Sequence, residues 1–249
     1  MPSPKKAEII KDLQAEIIRR QGFRQGHHPG LDTGLGPIEA AFPNGVFPLE
    51  AIHEFISDGP TDTAATNGFM AGILSKVIGD QGTALWIGRK RNLFPAALRT
   101  FDLAPDRFLF ARARREDDIL WAMTEALKSH ALSAVICEVH DFSFMASRRL
   151  QLAAEGSNAP GFVVRSRDKS LSPTAAVSRW KVTSLPSQQQ EGLPGVGFPR
   201  WKVQLLKVRN GRTGAWQVEW KYDKFVVASD HMEGRTRTDL RVQVERRAG

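Results

Sequence analysis

The chain lacks the features that mark secreted, disulfide-stabilised or membrane proteins. It has a single cysteine among 249 residues, which excludes an internal disulfide. Cys137 lies in the apolar run AVICEV, a context that predicts a buried and inert thiol. No apolar run approaches the ~20 residues that a membrane-spanning helix needs, and the first residues, MPSPKKAEIIKDL, are charged where a signal peptide is apolar. We therefore expect a cytoplasmic protein with no membrane partner.

Catalytic and metal-binding signatures are also missing from the sequence. No HExxH, GxSxG or paired CxxC pattern occurs. His27 and His28 are adjacent but have no other candidate ligand nearby, so we expect no metal site. His53 and Glu54 alternate along a predicted strand and should point to opposite faces, which argues against a catalytic dyad.

The net charge of +8 is concentrated in one stretch of the chain. Residues 158–228 carry 12 basic and 4 acidic side chains, whereas residues 1–157 carry 18 and 19. Such a stretch suggests a basic face directed at nucleic acid or at an acidic protein surface, and a solvated charged face is the alternative.

Hydrophobic periodicity predicts an α/β fold preceded by a separate helix. In the first segment Ile9, Leu13 and Ile17 recur at four-residue spacing and form a candidate docking face. Glycine and proline then mark a loop, and the end of the chain is highly charged. The predicted segments are an amphipathic helix over 1–22, a loop or arm over 23–45, a core over 46–228 and a charged flexible tail over 229–249.

Within the core, short apolar runs alternate with helical stretches, which indicates a mostly parallel sheet flanked by helices. The last third instead has strand-like runs joined by glycine turns, with a hairpin signal in RNGRTG, and predicts an antiparallel extension. The predicted strands are 51–56, 84–88, 108–110, 134–139, 162–165, 178–185, 200–210 and 215–222. The predicted helices are 63–78, 93–101, 117–129 and 147–155.

The turn after the strand AIHEFI is where a P-loop NTPase would hold phosphate. That motif reads GxxxxGK followed by serine or threonine, and its lysine contacts the phosphate oxygens. Here the sequence reads SDGPTDTAATNG, with no lysine, and Asp58 would repel a triphosphate. The sequence therefore predicts a degenerate P-loop, no enzymatic activity and no cofactor. The residues of this degenerate P-loop region are Gly59, Thr61, Asp62, Thr63 and Thr66.

A second candidate position is Glu138, at the end of the strand AVICEV. A strand-end carboxylate is what the Walker B position requires, because it can bind magnesium or polarise water. The alternative is structural, in which the carboxylate only caps a neighbouring backbone or pairs with a basic residue.

Tryptophan and basic residues are interleaved in the last predicted strands. Exposed aromatic rings between cations would suit single-stranded DNA, through stacking and phosphate contacts. Strand alternation favours a different arrangement, in which the tryptophans are core and the cations point outward, towards DNA phosphate or an acidic partner. The tryptophans are Trp180, Trp201, Trp216 and Trp220. The candidate surface cations are Arg179, Lys181, Lys202, Lys207, Arg209 and Arg212.

Several segments together resemble known families. The run GLDTGLGPIEAAFPNGVFPLEAIHEF is similar to the entry of RecA-like cores, TNGFMAGIL takes the place of the P-loop helix, and AVICEV takes that of the Walker B strand. The runs SRRLQLAAEGSNAPGFVVRSR and RWKVQLLKVRNGRTGAWQVEW resemble the ImuA family of damage-inducible mutagenesis proteins. The resemblance covers most of residues 30–228.

This resemblance implies a role that spacing alone does not show. Members of the family belong to an SOS-induced cassette for translesion synthesis, and the implied partners are an ImuB-like polymerase-fold protein, RecA and, indirectly, an error-prone DnaE-type polymerase. The expected function is that of a non-catalytic RecA-like adaptor. Two alternatives stay open, an unorthodox magnesium-dependent NTPase acting on DNA through Glu138 and Thr63 or Thr66, and a SulA-like inhibitor of cell division.

Overall fold

A mixed nine-stranded sheet forms the centre of the computed structural model, which describes residues 32–90, 92–166, 172–187 and 196–228. The strands are β1 (Ile52–Ser57), β2 (Ala84–Gly88), β3 (Phe108–Arg112), β4 (Ala134–Val139), β5 (Gly161–Ser166), β6 (Ser178–Leu185), β7 (Arg200–Val208), β8 (Gly214–Lys221) and β9 (Lys224–Ala228). Their order in the sheet is β3-β2-β4-β5-β1-β6-β7-β8-β9. Strands β1 to β6 are parallel to one another, and β6 to β9 pair antiparallel. The predicted parallel sheet with an antiparallel extension is confirmed.

Helices cover both faces of this sheet. The α-helices are α1 (Pro60–Ile78), α2 (Glu116–Lys128) and α3 (Phe144–Ala154), and the 3-10 helices are η1 (Gly36–Ala41), η2 (Pro43–Gly45), η3 (Pro95–Phe101) and η4 (Pro105–Arg107). The predicted helix 93–101 is thus a short 3-10 helix. It begins at a proline and ends at Asp102, whose backbone is left-handed. No helix within the described ranges is long and apolar enough to cross a bilayer.

The core consists of two apolar clusters, one on each face of the sheet. Helix α1 packs on one face with η1, η3 and the aromatic side chains of the antiparallel strands. Helices α2 and α3 pack on the other face, α2 against β4 and β2 and α3 against β1. All six residues of β1 are buried because helical layers cover both faces of the sheet. A central parallel strand therefore shows no alternation between buried and exposed positions.

The tryptophans belong mainly to the first cluster. Trp180, Trp201 and Trp220 are buried, and Trp216 is partly buried. The expectation that alternation places tryptophans in the core is confirmed for these three. Cys137 is also fully buried, and burial raises the pKa of its thiol, as expected of an inert side chain.

The structure differs from the predicted organisation at the arm. Residues 23–45 were predicted as a loop or arm from their glycine and proline content, but Leu35, Ile38 and Phe42 are buried in the first core cluster. Their spacing of three and four residues gives this segment an apolar face, and η1 and η2 form along it. The described part of the arm is therefore core.

Strand β9 was absent from the prediction. It follows β8 through a tight turn in which Tyr222 and Asp223 both have positive φ. Hairpin turns of this kind usually contain asparagine or glycine, so the sequence gives no turn signal here. The predicted helix 1–22, with Ile9, Leu13 and Ile17, and the tail 229–249 lie outside the described residues.

Candidate functional site

The carboxyl ends of the six parallel strands lie along one edge of the sheet. In open α/β sheets, ligands bind outside this edge, because the loops that follow the strands converge there. The segments meeting at the edge include the degenerate P-loop region after β1 and Glu138 near the end of β4. They also include the segments that follow β2 and β3.

The degenerate P-loop region has little room for a phosphate. Only Asp58 and Gly59 separate β1 from α1, so the helix begins directly after the strand. The backbone N–H of Thr63 donates to the Gly59 carbonyl over 2.9 Å, and the Thr63 hydroxyl donates to the same oxygen over 3.0 Å. The hydroxyls of Thr66 and Ser57 lie 3.3 Å apart. A two-residue connection provides no loop of backbone amides to surround an anion.

The charges beside this turn are also paired. Lys181, on the neighbouring strand β6, forms an ion pair with Asp58. Thr61 is exposed and Asp62 is half-buried at the start of α1. The strand-turn-helix geometry is therefore present, and Lys181 beside it contacts a protein carboxylate.

Glu138 is held by two hydrogen bonds. The Trp86 indole N–H donates to Oε1 over 2.7 Å, and the Asn92 amide donates to Oε2 over 2.6 Å. Burial raises the pKa of this carboxyl, while both hydrogen bonds and the nearby His140 lower it. The contacts link β4 to β2 and to the segment after β2, and they are made with neutral side chains, neither a backbone cap nor a basic residue. Within the residues described, no group of three or more His, Cys, Asp or Glu is placed to hold a metal.

A cavity of about 580 Å³ opens beside Glu138. We call it the basic cleft, and its lining residues are Arg89, Lys90, Asn92, Arg112, Arg114, Glu138, Val139, His140 and Ser166. A smaller cavity of about 240 Å³ adjoins it, shares Lys90, Asn92 and Arg112, and adds the aromatic walls Trp86 and Phe110. None of the residues 59–66 is among the described lining of either cavity. Of the two candidate positions, Glu138 is the one that lines the basic cleft.

Four cations of the basic cleft were missed by sequence reasoning. Arg89 and Lys90 follow β2, Arg112 ends β3, and Arg114 lies just beyond it. All four side chains are exposed, and none has an ion-pair partner within the described parts of the chain. Two sequence runs carried the signal, RKRN after one strand and ARARR after the next, because the carboxyl ends of neighbouring parallel strands meet.

The candidate surface cations of the last strands separate into groups. Arg179 is only 11% exposed, and its Nε lies 2.8 Å from Glu54 Oε2. Lys207 donates to the Thr174 carbonyl over 2.5 Å, and burial, followed by Arg179 and Arg209, lowers its pKa. Arg209 donates to the Ala175 carbonyl over 2.6 Å. With Lys181 paired to Asp58, the exposed members of the set are Lys202 and Arg212.

Glu54 explains why Arg179 is withdrawn from solvent. Its carboxylate is fully buried and also accepts from Arg165 over 3.4 Å and from Thr174 over 2.7 Å. A buried carboxylate needs such partners, since an unpaired charge in the interior is costly. The Glu54–Arg179 pair therefore acts within the fold.

A second surface feature lies between α2 and α3. A cavity of about 630 Å³, here called the α2–α3 groove, is lined by Thr124, Lys128, Met145, Arg148, Arg149, Leu152, Ala153 and Gly156. Met145 is 73% exposed and Leu152 is 60% exposed, and Trp121 on α2 is 64% exposed. Large apolar side chains exposed together in one region mark an interaction surface more often than chance placement does.

The chain is similar in sequence to two known proteins. It is 32% identical over 200 residues to proteins named Protein ImuA from two strains of Caulobacter vibrioides. The aligned region covers 76% of this chain and 82% of each relative. No protein-family model matches the chain.

Proposed function

The chain belongs to the ImuA family, and from that premise we propose that it is a non-catalytic adaptor with a RecA-like core, acting in an SOS-induced complex for mutagenic translesion synthesis. The observation that carries the non-catalytic part is the connection between β1 and α1. It has two residues, contains no lysine, and its aspartate is paired with Lys181. The implied partners are an ImuB-like polymerase-fold protein, RecA and, through them, an error-prone DnaE-type polymerase.

The sheet supports the RecA-like part of the proposal. A central parallel strand, β1, leads directly into the long helix α1, as a P-loop strand does. Glu138 lies near the carboxyl end of β4, in the position of a Walker B carboxylate. The phosphate-binding loop is the part that is shortened.

Nucleotide binding tests the non-catalytic part. We expect no heat when magnesium and ATP at millimolar concentration are titrated into the full chain, because the β1–α1 turn contains no lysine and the neighbouring Lys181 is paired with Asp58. Glu138→Gln is the comparison variant, since it removes the carboxylate that a magnesium-dependent NTPase would use. ATP turnover that disappears in Glu138→Gln would establish the NTPase instead.

The α2–α3 groove supports binding of a protein partner. Its apolar floor is bordered by Lys128, Arg148 and Arg149, which favours a segment that is both apolar and acidic. We assign such a segment to the ImuB-like polymerase-fold protein. The DnaE-type polymerase would then join through that protein, without a contact of its own to this chain.

A pull-down with two reciprocal variants tests this assignment. Met145→Asp with Leu152→Asp should abolish capture of the ImuB-like protein. The two carboxylates would replace apolar contacts in the groove and repel the acidic side chains of the partner segment. Tyr222→Asp is the matched control, since Tyr222 is 69% exposed and its positive φ tolerates aspartate. If the chain captures RecA but not the ImuB-like protein, the adaptor function stands, and the ImuB-like protein is not the ligand of the α2–α3 groove. If the chain captures neither protein, the adaptor function is wrong.

A further inference from the structure

The basic cleft concentrates positive charge in a segment whose net charge is close to zero. Its four cations come from the ends of two adjacent parallel strands, β2 and β3, and the end of β4 beside them contributes Glu138, Val139 and His140 to the lining. Adjacent strands are about 4.8 Å apart, so the cations form a row along the edge. Two of the nearby acids are paired with other cations, since Asp117 pairs with Arg115 and Asp141 lies 3.9 Å from Arg165. Glu116 accepts from two backbone N–H groups and keeps its charge.

Gly88 leaves space at the end of β2, next to the first two cations of the row. Gly88, the last residue of β2, has no side chain, and a Cβ there would lie 3.2 Å from the Lys90 carbonyl and 3.6 Å from Glu138. The chain can therefore fold back after β2 so that Asn92 reaches Glu138, while Arg89 and Lys90 remain exposed. Glu138 is satisfied by Trp86 and Asn92, and forms no ion pair with the cations within the described residues.

We propose that the basic cleft binds the phosphate backbone of single-stranded nucleic acid, through Arg89, Lys90, Arg112 and Arg114, with Phe94 as a stacking platform for a base. Phe94 follows this row by two residues beyond Asn92 and is 72% exposed. Phosphate-binding cations and an exposed aromatic ring are the two components of sequence-independent single-strand binding. Phe94 is assigned to the site by its place in the chain after Asn92, since it is not among the residues that line the cleft. The inference goes beyond the adaptor role and does not depend on a protein partner.

A single strand fits these observations better than a mononucleotide or a duplex. Pockets for small ligands enclose most of the ligand surface, whereas all four cations here are exposed. The residues that follow β2, β3 and β4 read RKRN, ARRE and HDFS, so the sequence has no glycine-rich turn there of the kind that a tight phosphate site uses. Stacking on Phe94 needs an unpaired base, which a duplex does not offer.

Fluorescence anisotropy of a labelled oligothymidylate with the full chain tests the proposal. Each phosphate contact contributes a slope of about −0.7 in log K against log[salt], or roughly fivefold in affinity at ~0.1 M salt. The double variants Arg89→Gln/Lys90→Gln and Arg112→Gln/Arg114→Gln should therefore each weaken binding about 25-fold and reduce the slope by about 1.4. Arg148→Gln/Arg149→Gln is the matched control, because it removes two exposed cations from α3 and should leave both quantities unchanged.

Phe94→Ala separates stacking from charge. It should weaken binding about fivefold or more while leaving the salt slope unchanged, since the ring contributes no charge. The proposal is overturned if the cleft variants lose no more affinity than the control. Equal binding of a duplex, or of an acidic polypeptide, with no effect of Phe94→Ala would assign the cleft to that ligand instead. Displacement of the oligonucleotide by equimolar ATP would assign it to a mononucleotide.

Discussion

Two buried ionisable side chains on β1 show how neighbouring residues can require different partners. Glu54 is charged and lies among Arg165, Arg179 and Thr174, so its desolvation is offset by ion pairs and a hydrogen bond. His53, the residue before it, is equally buried and stacks on Phe47 at 4.2 Å between ring centroids. Alternation along the strand sends the two side chains to opposite faces, so they belong to separate environments.

The neutral form of His53 satisfies all its neighbours. Its Nε2 lies 2.7 Å from the Pro48 carbonyl and therefore donates, which leaves Nδ1 to accept from the Ser178 hydroxyl at 2.7 Å. Ser178 in turn accepts from the Trp180 indole N–H over 2.7 Å. A second proton on Nδ1 would disrupt this chain, and burial lowers the pKa of His53 to about 4.

Stability should consequently decrease as the pH falls through the range between the unfolded and folded pKa of His53. The unfolded chain binds the proton near pH 6.5 and the folded chain only near pH 4, so this contribution is complete above ~6.5 and lost towards ~4. At about pH 5 we expect a loss of about 2 kcal/mol relative to about pH 7.5, measured by urea unfolding. His53→Gln should be less stable at neutral pH and lack this decrease. An equal decrease in both proteins would contradict the assignment.

Strands with a continuous or regularly alternating apolar pattern were the most predictable parts of the sequence, and the predicted strand 178–185 has the bounds of the alternating β6. The predicted strands 84–88 and 134–139 have the bounds of β2 and β4, because a parallel strand between two helical layers is a continuous apolar run. The packed arm and β9 were missed, since their glycine, proline and turn residues indicated loops or gave no signal. The positions of these segments depend on contacts with residues distant in the sequence, which a local sequence pattern does not reveal.

Helix α1 lies very close to the aromatic side chains of the antiparallel strands at one glycine, Gly72. Gly72 faces the antiparallel strands, where a Cβ would lie 2.4 Å from the Phe225 ring and 2.9 Å from the Trp220 ring. Alanine favours a helix over glycine by about 1 kcal/mol, but overpacking a core costs about 1–3 kcal/mol. We expect Gly72→Ala to destabilise the protein by about 1 kcal/mol, measured by urea unfolding.

Gly156→Ala serves as the control for that change. Nothing lies within 4 Å of a Cβ at Gly156, so the variant should unfold at the same urea concentration as the parent chain. If Gly72→Ala is as stable as Gly156→Ala, the aromatic cluster yields to the extra methyl group without cost and α1 is not closely packed at this point.

At the scale of the whole molecule, the basic cleft contains one residue singled out in the sequence, Glu138, while its four cations were not singled out. Sequence motifs led to the carboxyl ends of β1 and β4, at the edge where the basic cleft lies. Charge counted along the chain instead pointed to residues 158–228, where the fold pairs Arg179 and Lys181 with acids. The cleft cations come from two short runs that become neighbours only when β2 and β3 pair in parallel.

The basic cleft and the α2–α3 groove share no lining residue. The basic cleft lies at the strand ends, whereas the α2–α3 groove lies between helices that cover one face. We therefore expect nucleic acid and the protein partner to bind together, with the labelled oligothymidylate showing a further rise in anisotropy when the ImuB-like protein is added. Met145→Asp/Leu152→Asp should abolish that rise but not oligonucleotide binding, and Arg89→Gln/Lys90→Gln should weaken oligonucleotide binding but not capture of the partner. If either variant impairs both activities with its stability unchanged, the two surfaces are coupled, and one ligand must alter the other's site.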